Sequence, residues 1–204
     1  MGKAGRPKAD SSTKNLVDRR RHDLLEAAYT LIGERGLEGL RTRDIAARAG
    51  VNISTLHYYF GTKEALLVAM VEHTRSKFAA AGTTQTGLRD HFEGSIRTFQ
   101  NTPHLSAVLQ ELSLRAQRDP VTRAALADLH EGWNAMVASL IRTEIERGSL
   151  RPDLDPNASA QVITSFILGA MVQLAVRPDA FDFRQLAAQL ERWLPETDPP
   201  ADAS

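Results

Sequence analysis

Between Thr42 and Gly61 the chain reads "TRDIAARAGVNISTLHYYFG", and no other stretch limits the fold as tightly. Two apolar-periodic runs of about two turns each are separated only by Gly50-Val51-Asn52. Glycine ends the first run where a left-handed helix terminus is wanted, and asparagine is a good N-cap for the second. The result is two short helices turned sharply against each other, a helix-turn-helix whose second helix can enter a DNA major groove. Ile45, Ala46 and Ala49 give the first helix an apolar face, and Val51, Leu56 and Phe60 supply its counterpart. Helices this short are not stable alone, so neighbours must complete the bundle. Leu24, Leu25, Ala28, Leu31 and Ile32 form the stripe of a preceding helix that stops at Gly36. Thr62 caps a following helix with Leu66, Leu67, Met70 and Val71 inside.

The remainder is helical by the same criterion. No segment shows sustained two-residue alternation with β-branched enrichment, so the class is all-α, with about nine helices. The division expected is a flexible basic arm (1–14), the helix-turn-helix domain (15–62), a linking helix (63–82), a second helical domain (83–195) and a flexible tail (196–204). The small-residue run "AAAGTTQTG" marks the boundary. Beyond it Leu88, Phe92, Ile96 and Phe99 recur at helical spacing. Thr102-Pro103, Asp119-Pro120 and Asp155-Pro156 each pair an N-cap residue with a proline suited to the first helical position. A last helix is expected over 183–194.

Composition removes several function classes. Without cysteine there are no disulfides, thiolate metal sites or cysteine nucleophiles, which fits a reducing cytoplasm. Met1 to Asp23 is polar and basic and lacks the apolar core of a secretory signal. The greasiest run, "VITSFILGAMVQLAV" (162–176), is shorter than the roughly 20 residues of a membrane span and reads as a buried helix. Glu72-His73, His91-x-Glu93 and His130-Glu131 lack metal-site spacing, and no phosphate loop or nucleophile elbow occurs. No metal, cofactor or enzymatic activity is therefore expected. The zero net charge conceals a polarity. Residues 1–77 hold 14 Lys and Arg against 9 Asp and Glu, a net +5, and the rest carries −5. A basic front suggests an anionic partner.

A short helix in a groove must be both core and reading head. Leu56 and Phe60 are assigned to the core; Asn52, Ser54, Thr55, His57 and Tyr58 are assigned to DNA, where hydroxyls, amides and rings meet phosphates or base edges. Tyr59 suits either a core edge or a phosphate contact. Thr42, Arg43, Thr62 and Lys63 lie at helix starts, which attract phosphate. In "GKAGRPKAD", Arg6 and Lys8 fit a minor-groove hook, or equally a solvated tail.

Thr42 with "IAARAGV", "STL", "YF" and "KEALL" resembles the DNA-binding domain of the TetR family of transcriptional regulators over residues 24–70. His57 stands where such proteins usually carry a phosphate-contacting tyrosine. The resemblance implies a cytoplasmic homodimeric repressor on a palindromic double-stranded operator, released by a small, mostly apolar effector bound in the second domain. Phe99, His104, Leu109, His130, Trp133, Met136, Phe166 and Met171 are the implied cavity residues. Ile163, Phe166, Ile167, Ala170 and Leu174, with Leu186, Leu190 and Trp193, are the implied dimer seam, although burial within one protomer fits the first set nearly as well. A sequence-blind DNA organiser and an all-helical enzyme are the competing readings.

Overall fold

The computed structural model describes residues 9–81 and 87–177, then Asp179, Asp182, Gln185, Leu186, Ala188, Gln189 and Arg192. Among these residues there are eight helices and no strands: α1 (Ala9–Arg35), α2 (Thr42–Arg48), α3 (Ile53–Tyr59), α4 (Lys63–Ala81), α5 (Leu88–Asn101), α6 (Leu105–Ala116), α7 (Pro120–Glu146) and α8 (Pro156–Val176). The helix expected over 183–194 falls largely outside the described residues, as do Arg6, Lys8, Leu190, Trp193 and the tail.

Helix α1 starts at Ala9, inside the stretch expected as an arm. The run from Ala9 to Thr30 contains no glycine or proline to interrupt the helix. Gly36, Gly50 and Gly148 have φ of +73°, +66° and +76°, the left-handed values that end α1, α2 and α7. Asp119 and Asp155 cap as expected, accepting from Val121 N at 3.3 Å and Asn157 N at 2.8 Å. Thr102-Pro103 behaves differently. Thr102 closes α5 by donating its N–H to Thr98 O (2.9 Å), so α6 begins only at Leu105, after His104 at φ +67°.

Two apolar clusters hold the helices. One joins the buried faces of α1–α4 to α6 and α7, with Leu24, Ile45, Leu56, Leu67, Met70 and Leu112 at its centre. The other packs Phe92 and Ile96 of α5 against Val137, Ile141, Ile163 and Ile167 of α7 and α8. Because the first cluster spans both halves, α1 is anchored directly on α6. Tyr29 OH donates to Pro103 O (2.9 Å), Leu37 N–H donates to Glu111 (2.9 Å), and Gly33 lies directly beneath His104.

Helix α8 has 21 residues and a mean hydropathy of 1.6 over its most apolar window, enough by length and composition to cross a membrane. One face instead packs antiparallel on α7, where Thr164 Oγ1 donates to Asn134 Oδ1 (2.6 Å). That packing corrects the expected seam: Ile163, Ile167 and Ala170 are buried inside their own protomer. The apolar face left open carries Val162, Ser165, Gly169, Val172 and Val176, one residue out of phase with the expectation. A helix apolar on all sides gives no internal sign of which stripe its own core will take. Leu174 and Leu186 are half-buried.

Candidate nucleic-acid interface and effector cavity

Asn52 organises the start of α3. Its Oδ1 accepts Thr55 N–H (2.8 Å), Thr55 Oγ1–H (2.8 Å) and Ser54 Oγ–H (2.7 Å). The backbone donor fixes which amide atom is the oxygen, so both hydroxyl protons are spent on Asn52. Ser54 and Thr55 thus present lone pairs outward, which suits base amino groups; a phosphate oxygen would require the hydroxyls to rotate. Leu56 and Phe60 are buried, at 1% and 3% exposure, whereas Tyr58 is 80% exposed. Tyr59 is half-buried against the core and meets Tyr58 edge-to-face at 5.3 Å, so it props the exposed ring from behind. Sequence reasoning passed over Arg21, whose guanidinium lies 5.4 Å above the Phe60 ring and brings a cation from α1 beside the end of α3.

The starts of α2 and α4 open on one spot. Thr42, His57, Thr62 and Lys63 line a shallow depression of about 90 Å³. Thr62 Oγ1 caps α4 by accepting from Ala65 N (3.1 Å), and exposed Lys63 follows at the first helical position. At α2 the cap residue is Arg41, without a side-chain cap bond, and Thr42 is the first helical residue. Its exposed neighbour Arg43 sits 3.5 Å from Asp44. Hydroxyls, a ring nitrogen, an ammonium and unpaired helix-start N–H groups converge here, a set that suits phosphate.

A second concavity, about 470 Å³, lies among α4–α8. Leu109, His130, Trp133 and Met136 are among the residues that line it. Phe99 stands one layer behind, edge-to-face on the lining ring of Phe78 at 5.4 Å. Three expected residues lie elsewhere. The left-handed turn at His104 directs it onto Gly33 of α1, Phe166 stacks on Phe92 at 5.9 Å in the second cluster, and Met171 is buried in the first. Arg75 and Phe78 were missed because α4 read as a linker only. Yet Phe78 stacks on Trp133 at 6.1 Å, and Arg75 is the one formally charged side chain among the described lining residues. Arg75 is braced by Asp128 (2.7 Å) and Glu72 (3.1 Å).

Most polar lining groups are engaged within the protein. Ser95 and Thr98 donate to the carbonyls of His91 and Gly94, both at 2.8 Å. Trp133 Nε1–H donates to His91 Nε2 (2.9 Å), which requires a neutral imidazole with its proton on Nδ1. Burial enforces the same state by pushing the His91 pKa down to about 4, and burial also lowers that of His130. The cavity is an aromatic chamber with few unspent donors.

Residues 24–70 match the family described as bacterial regulatory proteins, tetR family, and residues 84–198 match the C-terminal region of BetI-type transcriptional repressors. The chain belongs to the TetR family. A curated TetR-family relative is the transcriptional repressor AcnR of Corynebacterium glutamicum, 24% identical over 76% of this chain and 81% of that repressor. A TetR-family regulator from Rhodococcus superposes with a TM-score of 0.72 at 26% identity, covering 85% of this chain and 95% of that one. A transcriptional regulator from Saccharomonospora viridis, solved with choline, shares the fold at TM-score 0.70 and 23% identity, over 86% of this chain and 95% of its own. Members of the TetR family are DNA-binding transcriptional regulators and not enzymes. Helix-turn-helix, exposed Tyr58 and second-domain cavity take their meaning from that membership.

Proposed function

We propose that this TetR-family chain is a homodimeric repressor that reads a palindromic operator with α3 and leaves it when a small, mostly apolar effector fills the 470 Å³ cavity. The observation that carries the reading is the division of α3. Tyr58 stands exposed on α3, His57 lines the depression between the starts of α2 and α4, and Leu56 and Phe60 lock the helix from beneath. On DNA, Asn52, Ser54 and Thr55 face base edges in the groove, Tyr58 donates its hydroxyl to a phosphate at the groove wall, and Thr42, Arg43, His57, Thr62 and Lys63 grip further phosphates. A regulator of this kind acts in the cytoplasm, where its DNA lies.

The open face of α8 supports self-association. Val162, Ser165, Gly169, Val172 and Val176 recur at spacings of three and four, the period of a helix–helix seam. A Cβ on Gly169 would meet nothing within 4 Å of its own protomer, so its small size is free to serve a partner's close approach. Effector coupling runs along α4. This helix of 19 residues is a rod of about 28 Å. It carries Lys63 at the DNA end and Arg75 and Phe78 at the cavity end. A ligand that wedges against Phe78 or Trp133 shifts the rod and with it the spacing of two α3 helices.

DNase protection on DNA upstream of the gene is expected to show a short, roughly palindromic footprint. A panel of apolar small molecules is expected to yield one that raises the melting temperature and erases that footprint. Uniform protection without preference would favour the DNA-organiser reading instead.

A further inference from the structure

At the junction of α1 and α4 three metal-ligating side chains meet, none of them lining the cavity. His22 and Glu26 sit one turn apart on α1, and His73 reaches them from α4. We propose that His22, Glu26 and His73 form a binding site for a divalent transition-metal ion of the zinc class, stapling α1 to α4.

The spacing fits such an ion. Glu26 Oε1 lies 3.3 Å from His73 Nε2 and 3.7 Å from His22 Nε2, and all three ligand atoms fall within 4.8 Å of one another. Tetrahedral coordination with bonds of about 2.0–2.1 Å places ligand atoms roughly 3.3–3.4 Å apart. The His22 side chain is 60% exposed, so a rotamer change closes the remaining gap at little cost. An independent observation points the same way. The His73 side chain is only 3% exposed, yet its Nε2 has no hydrogen-bond partner of good geometry, although Glu26 Oε1 lies 3.3 Å away. A buried nitrogen without a partner is destabilising, and a metal ion would satisfy it.

The place of a cation on Glu26 is already marked. The Lys77 ammonium contacts Glu26 Oε1, and it also lies 5.1 Å from the centre of the Tyr29 ring. An incoming metal displaces Lys77 onto that ring face, where a cation–π contact retains it. Water completes the coordination on the His22 side, which faces solvent. The two helices joined are the first of the DNA-binding bundle and the rod that reaches the cavity. Metal occupancy therefore sets their angle, and a consequence for DNA affinity follows; that consequence alone rests on the repressor reading.

The test uses the full-length, tag-free protein with Co²⁺ and Zn²⁺. One Co²⁺ per protomer is expected to bind with the visible absorption of a tetrahedral site and to be displaced by Zn²⁺, with a rise in melting temperature. His22→Ala, an exposed change outside the core, is expected to weaken binding by more than the roughly 10- to 100-fold that loss of an outer-shell partner costs. His73→Gln is expected to abolish the tetrahedral spectrum. The absence of stoichiometric binding at micromolar metal would overturn the site, as would unchanged binding in both His22→Ala and Glu26→Gln. Intact binding with operator affinity independent of Zn²⁺ would overturn the coupling to DNA.

Discussion

Tyr58→Phe removes one oxygen from a ring that is 80% exposed, and so separates recognition from folding. Among the described residues the hydroxyl has no hydrogen-bond partner; the ring packs on Tyr59, and that edge-to-face contact survives in phenylalanine. Stability is therefore expected to stay within about 0.5 kcal/mol of the parent, the ordinary range for a surface change. DNA binding should respond very differently. A hydrogen bond to a charged acceptor contributes about 1.5–3 kcal/mol. A two-fold dimer makes the contact twice, so operator affinity is expected to fall by about 3–6 kcal/mol, roughly 10²- to 10⁴-fold. Fluorescence anisotropy with a labelled operator duplex at fixed salt measures the loss, and a thermal melt measures the stability. Unchanged affinity, or a melting temperature that collapses with it, would refute the assignment of Tyr58 to the DNA.

Three further outcomes follow from the packing. Gly33→Ala should lower the melting temperature although alanine is the better helix former, because its Cβ would fall 2.1 Å from His104 Cβ; overpacking of this kind costs about 1–3 kcal/mol, and stabilisation would contradict the α1–α6 contact. Val172→Asp, placed on the open face of α8, should shift the protein to monomers in analytical ultracentrifugation with its helical circular dichroism intact; a persistent dimer would move the seam elsewhere. Acid should destabilise the fold through His91, whose pKa burial holds at about 4, below the ordinary histidine value of about 6.5. The unfolded chain then binds more protons, so stability is intact above about pH 6.5 and is lost as pH falls toward 4, by about 3 kcal/mol from this group. Denaturant melts of His91→Gln should show a flatter acid limb, and an identical limb would remove His91 as the cause.

The helix-turn-helix was legible because its determinants are local. Gly50 must take a positive φ, Asn52 must cap, and Leu56 and Phe60 follow at helical spacing, all within a dozen residues and all realised in the structure. Features set by tertiary packing were not. Helix α8 is apolar around its circumference, and only contact with α7 decides that Ile163 and Ile167 turn inward while Val162 and Val172 remain open. Thr102 and Pro103 had the right chemistry to start a helix, but Thr102 was already committed to ending α5, and the left-handed turn at His104 then carried that side chain away from the cavity. Half of the expected cavity residues line it; the aromatic wall contributed by Phe78 was hidden because α4 serves as rod and wall at once. The His22–Glu26–His73 cluster was out of reach for the same reason. Along the sequence His73 has only Glu72 beside it, whereas the fold joins residues one turn apart on α1 to a residue on α4.

The central claim is that two copies of α3 read DNA sequence about a two-fold axis. Selection of binding sites by the purified protein from a random duplex library tests it most directly. The account predicts convergence on an inverted repeat, with half-sites separated by about one helical turn or a multiple of it. A pool that stays random through successive rounds, or converges on a motif without two-fold symmetry, would contradict it.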